Sequence, residues 1–284
     1  MSYKSCIVKT YNQMTGDHLD GSGTLTDFCK NLAREVPREK FKFPKWDLTI
    51  VLKGLREAPF EPLEDIDLKY LSFKTVFLIA LASAARVSEL HALSAESGFI
   101  RFTVDKSTVF LAPVIGFLAK NQRPDEAPRE MSINSLRNHA PPGDPERLLC
   151  PVRALRAYLT RTNKFRGKRK KLFLSLMPKK RTEITVHTLS RWLRETIKLT
   201  YQFQKPHELA QLYSIPVHEI RALAASLPVY QSASILDVLK TASWKHHNTF
   251  TDFYLRDLSV YSKKLSAKDG DMVVAAGKEI NLKL

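Results

Sequence analysis

Long apolar segments are missing from this 284-residue sequence. Its longest apolar runs, residues 75–85 and 109–119, each extend over about 11 residues, whereas a helix that crosses a bilayer needs ~20. The first residues, MSYKSCIVKTYNQ, lack the apolar core of a secretory signal. These absences argue against an integral membrane protein and against secretion.

Cysteine and metal-binding motifs are also scarce. The three cysteines, Cys6, Cys29 and Cys150, are odd in number and widely spaced, so they form neither a disulfide framework nor a zinc site, and a reducing compartment fits them. There is no His-Glu-x-x-His motif, no pair of acids beside a histidine at ligand spacing, and no glycine-rich phosphate loop. The sequence therefore predicts no metal and no cofactor.

Acidic residues are outnumbered, because 29 Asp and Glu face 45 Lys and Arg, which gives a net charge of +16. Such an excess favours a polyanionic partner, above all nucleic acid. Residues 147–181 hold 13 basic residues and no acid. This basic run predicts phosphate contacts to DNA, although a solvated loop is the simpler explanation, and residues 168–171 are also typical of a nuclear import signal. The predicted DNA-binding residues are Arg166, Lys168, Arg169, Lys170, Lys171, Lys179, Lys180 and Arg181, and the predicted location is the nucleus.

Periodicity predicts a mainly α fold with a small antiparallel β-sheet. Helices are expected over residues 26–34, after an N-cap at Asp47, over 70–93 as one or two helices, and over 151–160, 189–197, 218–227, 235–244 and 248–258. Residues 99–104 and 108–111 predict two strands around a turn at 105–107, with a third strand near 129–133. The segment 58–68 has two prolines and four acids, which predicts a linker. We therefore expect an N-terminal module with its linker over 1–62 and a larger domain over 63–284.

Four stretches carry side chains suited to phosphodiester chemistry, which needs a nucleophile, cations for the transition state and an acid for the leaving oxygen. Arg86 and Glu89 close an apolar helix, Lys120 follows an apolar run, His218 and Arg221 lie one helical turn apart, and Trp244 precedes Tyr254 by ten residues. Each has a simpler explanation: a surface ion pair, a loop lysine, a chance spacing, and core aromatics.

The order of these stretches resembles the tyrosine recombinase (phage integrase) superfamily. The resemblance covers about residues 46–258 and is strongest in LSFKTVFLIALASAARVSELHAL, VHEIRALAASL and ASWKHHNTFTDFYLRDL. The stretch LLCPVRALRAYLTRT is similar to the recombinases of DIRS and Ngaro-type retrotransposons of animals. The resemblance implies a recombinase catalytic-domain fold behind a short, partial helical module that clamps DNA.

The resemblance also implies a role for each matching residue. Arg86 and Arg221 would clamp the scissile phosphate, His218 and Trp244 would contact it, and Lys120 would protonate the departing 5′ oxygen. Tyr254 would attack and form a 3′-phosphotyrosine link. Glu89 would orient the basic groups without contacting the phosphate itself.

The sequence departs from the family at two points. Ser243 stands where many relatives have glycine, and Tyr254 lies ten residues after Trp244 instead of nine, which rotates a helical side chain by ~100°. Tyr261 is therefore the alternative nucleophile. Lys106, in the turn at 105–107, is the alternative to Lys120.

The resemblance implies a metal-independent DNA strand transferase that acts on double-stranded DNA as a tetramer on two duplexes. It implies integration of a mobile element and no membrane or small-molecule partner. Two other functions stay open: an inactive, domesticated recombinase that binds DNA, and a relaxing enzyme similar to type IB topoisomerases.

Overall fold

The computed structural model describes residues 3–19, 23–35, 43–120, 122–138, 140–177, 183–212, 215–230, 234–241 and 247–258. The chain divides into two compact units, residues 1–41 and 42–284. The smaller unit contains helices α1 (Tyr3–Thr15) and α2 (Gly23–Glu35). The expected boundary after residue 62 stays a prediction, and the first helix after residue 42 packs within the larger unit.

The larger unit is mainly helical, as predicted. Its helices are α3 (Leu48–Leu55), α4 (Leu68–Ser83), α5 (Val87–Ala92), α6 (Pro151–Arg166), α7 (Val186–Gln204), α8 (His218–Tyr230), α9 (Ile235–Thr241) and α10 (His247–Phe253). Asp47 caps α3 as expected, because its carboxylate accepts a hydrogen bond from the Thr49 N–H at 2.9 Å. None of the described helices is long and apolar enough to cross a membrane.

Helix α4 is the centre of the core. Twelve of its residues are buried, and it packs against α6, α7 and α8. Burying each large apolar side chain, such as Phe77, contributes about 1.5–3 kcal/mol. The elements around α4 therefore pack on one common core, and the C-terminal end of α4 lies at its edge.

A buried lysine interrupts this apolar helix. The Lys74 ammonium donates to the Leu55 carbonyl at 2.7 Å and forms an ion pair with Glu61, which Arg153 also contacts at 2.6 Å. Burial lowers the pKa of Lys74 to about 8. The segment 58–68, expected as a linker, is thus held against α4, and three of its side chains, Phe60, Leu63 and Ile66, are buried in the core.

The predicted small sheet is present, with strands β1 (Ile100–Phe102), β2 (Thr108–Leu111) and β3 (Met131–Asn134) in the order β1-β2-β3. All pairs are antiparallel, with Val109 opposite both Phe102 and Ile133. Asp105 fixes the β1–β2 turn, because its carboxylate accepts from the Ser107 N–H at 3.1 Å. The sheet therefore has a tight turn at one end and the long β2–β3 connection at the other.

Candidate active site

The site begins at the turn between α4 and α5. Ala84 ends α4 in the left-handed conformation, with φ 48°, and Arg86 is the N-cap of α5. One Glu89 oxygen accepts from the Arg86 backbone N–H and the other from its Nη1, both at 2.8 Å. The ion pair one turn apart is thus real. It is also largely buried, because the Arg86 side chain is 18% and the Glu89 side chain 11% exposed.

Arg221 reaches the same carboxylate from the first turn of α8. Its Nη1 donates to the Ala84 carbonyl and lies 3.8 Å from Glu89 Oε2. The side chain is 3% exposed. Burial lowers the pKa of Arg221 to about 10; Arg86 acts in the same direction, while Glu89 and Tyr254 oppose the shift. The structure therefore brings the two predicted clamp arginines to one buried carboxylate.

Tyr254 also lies in this cluster. It follows the last residue of α10, its backbone N–H donates to the Phe250 carbonyl at 2.8 Å, and it is half-buried. The Arg221 guanidinium carbon lies 5.9 Å from the centre of the Tyr254 ring, which is within cation–π range. A phenolate that formed at Tyr254 would therefore face a permanent cation.

A buried ion pair, which the sequence did not reveal, fixes this tyrosine against α8. Arg256 donates to both Glu219 oxygens, from Nε at 2.8 Å and from Nη2 at 2.9 Å, and both side chains are nearly inaccessible. The Arg256 backbone N–H donates to Ser226 Oγ at 2.9 Å, and that hydroxyl lies 3.3 Å from the Tyr254 carbonyl oxygen. The Glu219–Arg256 clamp therefore connects the helix that carries Arg221 to the segment that carries Tyr254.

Arg129 is a second residue that the sequence analysis missed, since it was counted only as the start of a strand. It ends the β2–β3 connection, two residues before β3, and it is close enough to Arg221 to lower the pKa of that residue. Within the described part of the chain, its buried Nη1 has no hydrogen-bond partner. A third guanidinium therefore acts electrostatically on Arg221, and its Nη2 lies 3.9 Å from Glu126.

The remaining candidates for the reaction lie at the start of α8, in the two connections of the sheet or outside the described residues. His218 is the first residue of α8, one turn before Arg221, and is exposed. Lys120 is exposed in the β2–β3 connection, and among the described residues its ammonium makes no ion pair or hydrogen bond. Lys106 lies in the β1–β2 turn, at the other end of the strands from Arg129. Trp244, Tyr261, Lys179, Lys180 and Arg181 lie outside the described residues.

The described part of the basic run divides into structural and exposed residues. Arg166 is buried and donates to the carbonyls of Lys171 at 2.7 Å and Leu172 at 2.9 Å, so it holds the loop in place. Arg169 donates to the Phe165 carbonyl at 2.7 Å at the end of α6. Lys171 is half-buried, with its ammonium 3.1 Å from His91 Nε2. Exposed cations remain at Lys168 and Lys170, the latter 3.3 Å from Glu96.

The basic loop lies near the arginine cluster. The Ala95 N–H donates to the Lys170 carbonyl at 2.7 Å, and Ser94 forms a β-bridge with Lys171. Residues 94 and 95 follow the C-terminal end of α5, and Arg86 caps its other end. Six helical residues rise about 9 Å, so the Lys170 backbone that bonds to Ala95 is separated from Arg86 by one short helix.

The arrangement as a whole places two guanidinium groups at one carboxylate, with a phenol ring beside one of them. Guanidinium groups match phosphate oxygens in shape and keep their charge. Among the described residues, no group of three or more His, Cys, Asp and Glu is placed to hold a metal ion. A scan against protein-family models and a search of curated proteins found no match.

Proposed function

We propose that this protein is a DNA strand transferase of the tyrosine recombinase type. The observation that supports it most is that Arg86, Arg221 and Tyr254 lie together near Glu89. The two arginines are 135 positions apart in the sequence. Apolar residues in place of a buried Arg–Glu–Arg triad are often neutral or stabilising, so stability alone does not explain such a triad well. An anion that binds both arginines accounts for the arrangement.

In this proposal Arg86 and Arg221 bind the nonbridging oxygens of the scissile phosphate, and Arg129 adds its unused Nη1. Tyr254 Oη attacks phosphorus and loses its proton, with His218 helping to accept it. The P–O5′ bond breaks, and Lys120 gives the departing oxygen a proton. The products are a 3′-phosphotyrosine and a free 5′-hydroxyl. Attack by another 5′-hydroxyl reverses the step, so the bond energy is conserved.

The test is covalent capture on a nicked duplex. Cleavage near the nick releases a short strand that diffuses away, so the reaction cannot reverse and the protein stays bound to the DNA. The wild-type chain should form an adduct that survives denaturation, and Tyr254→Phe should not. Tyr261→Phe is the matched control and should keep the adduct. An adduct that persists in Tyr254→Phe and disappears in Tyr261→Phe would identify Tyr261 as the nucleophile. The absence of an adduct with wild type on every duplex tested would contradict the enzymatic proposal.

One observation favours a second candidate, a DNA-binding protein without catalysis, since the Lys120 ammonium is exposed and makes no contact within the described residues. A substrate with sulfur at the 5′ bridging position separates the two. A thiolate leaves without a proton donor, so Lys120→Ala should cut the sulfur substrate well and the ordinary one poorly. Equal activity of wild type and Lys120→Ala on the ordinary substrate would remove Lys120 from the mechanism.

We further propose a tetramer on two duplexes, a nuclear location and integration of a mobile element as the biological setting. The net charge of +16 supports binding to duplex DNA. Sedimentation of the protein with and without a duplex that contains its target tests the assembly. A particle with one chain per duplex would contradict the tetramer.

A further inference from the structure

A second cluster of cations surrounds a cavity away from the arginine cluster. The cavity has a volume of about 190 Å³ and lies between the β1–β2 turn, the residues after β3 and the N-terminal half of α6. None of the described residues that line it is acidic. Its five cationic lining residues are Lys106, Arg137, Arg147, Arg153 and Arg156.

Two of these cations are held in place by neighbouring groups. Arg147 donates from Nε to the Ala140 carbonyl at 2.8 Å and from Nη2 to the Arg137 carbonyl at 3.0 Å. Arg153 donates to both Glu61 oxygens, at 2.6 and 3.0 Å. Since carbonyl groups carry no net charge, Arg147 keeps its full positive charge, whereas Glu61 neutralises Arg153. The cavity thus has rigid walls and a net positive charge.

The other three cations are exposed and surround the opening. Within the described part of the chain, the side chains of Lys106, Arg137 and Arg156 make no hydrogen bond or ion pair. Asp105 is next to Lys106 in the turn, and its carboxylate accepts from the Ser107 N–H at 3.1 Å and from the Ser107 hydroxyl at 2.9 Å. Asp105 acts electrostatically on Arg137, yet the cations that line the cavity still outnumber these acids, and an anion between them would lower their mutual repulsion.

The volume selects the kind of anion. Sites for ligands of drug or nucleotide size usually occupy about 300–1,000 Å³, which exceeds this cavity. A water molecule takes about 30 Å³ of liquid, so a single tetrahedral anion with a few waters fits. Ser135 also lines the cavity, and its hydroxyl lies 3.3 Å from Cys150 Sγ.

We propose that this cavity binds a single phosphate group and that, in the DNA complex, the group is a backbone phosphodiester of the bound duplex. The second part rests on the proposed function. Strand β3 lies between Arg129 and Ser135, which are six residues apart. Six extended residues span at most about 20 Å, so Arg129 and the cavity are no farther apart than that. That length corresponds to about six nucleotides along one strand. One duplex can therefore reach the arginine cluster and the cavity together.

The experiment compares two variants that remove the same charge. Arg137→Ala/Arg156→Ala removes two arginines that line the cavity. Lys53→Ala/Lys198→Ala instead removes two lysines of α3 and α7, of which Lys53 is exposed and Lys198 partly exposed. Affinity for a non-target duplex is measured at several salt concentrations. The cavity variant should lower the slope of log affinity against log salt by about 1, the value expected for one lost phosphate contact, and the lysine variant should leave it unchanged.

A second arm uses inorganic phosphate alone, which tests the cavity without DNA. At constant ionic strength, phosphate should raise the melting temperature of wild type and of the lysine variant more than that of the cavity variant. Loss of the phosphate effect with an unchanged DNA slope would support a site for free phosphate and refute the DNA contact. Equal phosphate effects and equal slopes in all three proteins would overturn the proposal, whatever the result of covalent capture.

Discussion

The Glu219–Arg256 clamp makes the strongest prediction about the placement of the nucleophile. Glu219→Gln keeps the shape of the side chain and removes its charge, so the Arg256 guanidinium stays buried without a counterion. Breaking a buried ion pair on one side costs about 3–5 kcal/mol, a large part of the roughly 5–15 kcal/mol that stabilises a protein domain. For a unit of this size, we expect the melting temperature to fall by about 6–20 °C.

A double variant separates stability from placement. Glu219→Leu/Arg256→Met replaces the buried pair with apolar side chains of similar volume, which is often neutral for stability. It also deletes the bonds that Arg256 makes to Glu219 and to the Phe253 carbonyl, the latter at 3.1 Å. We expect a melting temperature near that of wild type, with the rate of covalent capture at saturating DNA reduced by about 100-fold, as a displacement of about 1 Å can cause.

The exposed pair Glu195–Lys198, with 3.6 Å between the charged atoms, provides the control. Glu195→Gln should change stability by less than about 1 kcal/mol and leave capture unchanged. Wild-type capture by the double variant would show that the clamp does not position Tyr254. An unchanged melting temperature for Glu219→Gln would show that the buried ion pair is not formed in solution.

Three further outcomes follow from the structure. A Cβ on Gly54 would lie 2.8 Å from Thr200 Cβ, so Gly54→Ala should destabilise the protein by about 1–3 kcal/mol in denaturant unfolding, and an unchanged midpoint would contradict the close contact of α3 with α7. Since the pKa of Lys74 is lowered to about 8, the unfolded chain binds more protons above that pH. Stability should rise by about 1.5 kcal/mol between pH 8 and 9.5 and should not do so in Lys74→Met; equal rises would refute this cause. Replacing Lys168 and Lys170 with Gln should weaken binding to all duplexes alike and flatten the salt dependence, and an unchanged slope would show that the basic loop does not touch phosphate.

Features set by neighbouring residues were predicted from the sequence. The Asp47 cap and the turn at 105–107 each depend on spacings of two residues, which local patterns reveal. The spacing of Arg86 and Glu89 also indicated an ion pair, but as a surface alternative, and the structure buries it. The mainly α fold with three antiparallel strands follows from the same kind of signal. Helix α1 was not predicted, because its sequence is polar and lacks a clear apolar stripe.

Features that depend on distant residues were not predictable. Glu219 and Arg256 lie 37 positions apart and Arg129 lies 92 positions before Arg221, so no local pattern relates them. The segment 58–68 has the composition of a linker, yet Lys74 needs a buried carboxylate and Glu61 supplies it. Only the resemblance linked Arg86, Arg221 and Tyr254, since their separate patterns fit ordinary core and surface roles equally well.

The carboxylate between the two arginines has a consequence for the empty protein. Two guanidinium groups at this distance repel each other. Without Glu89 they would adopt other conformations, and ligand binding would have to restore the present one. Glu89 acts as a resident substitute for the ligand's negative charge, and the Ala84 carbonyl holds Arg221 in the same pose. In the proposed reaction, the scissile phosphate would therefore meet two guanidinium groups that are already oriented, and it would share them with Glu89.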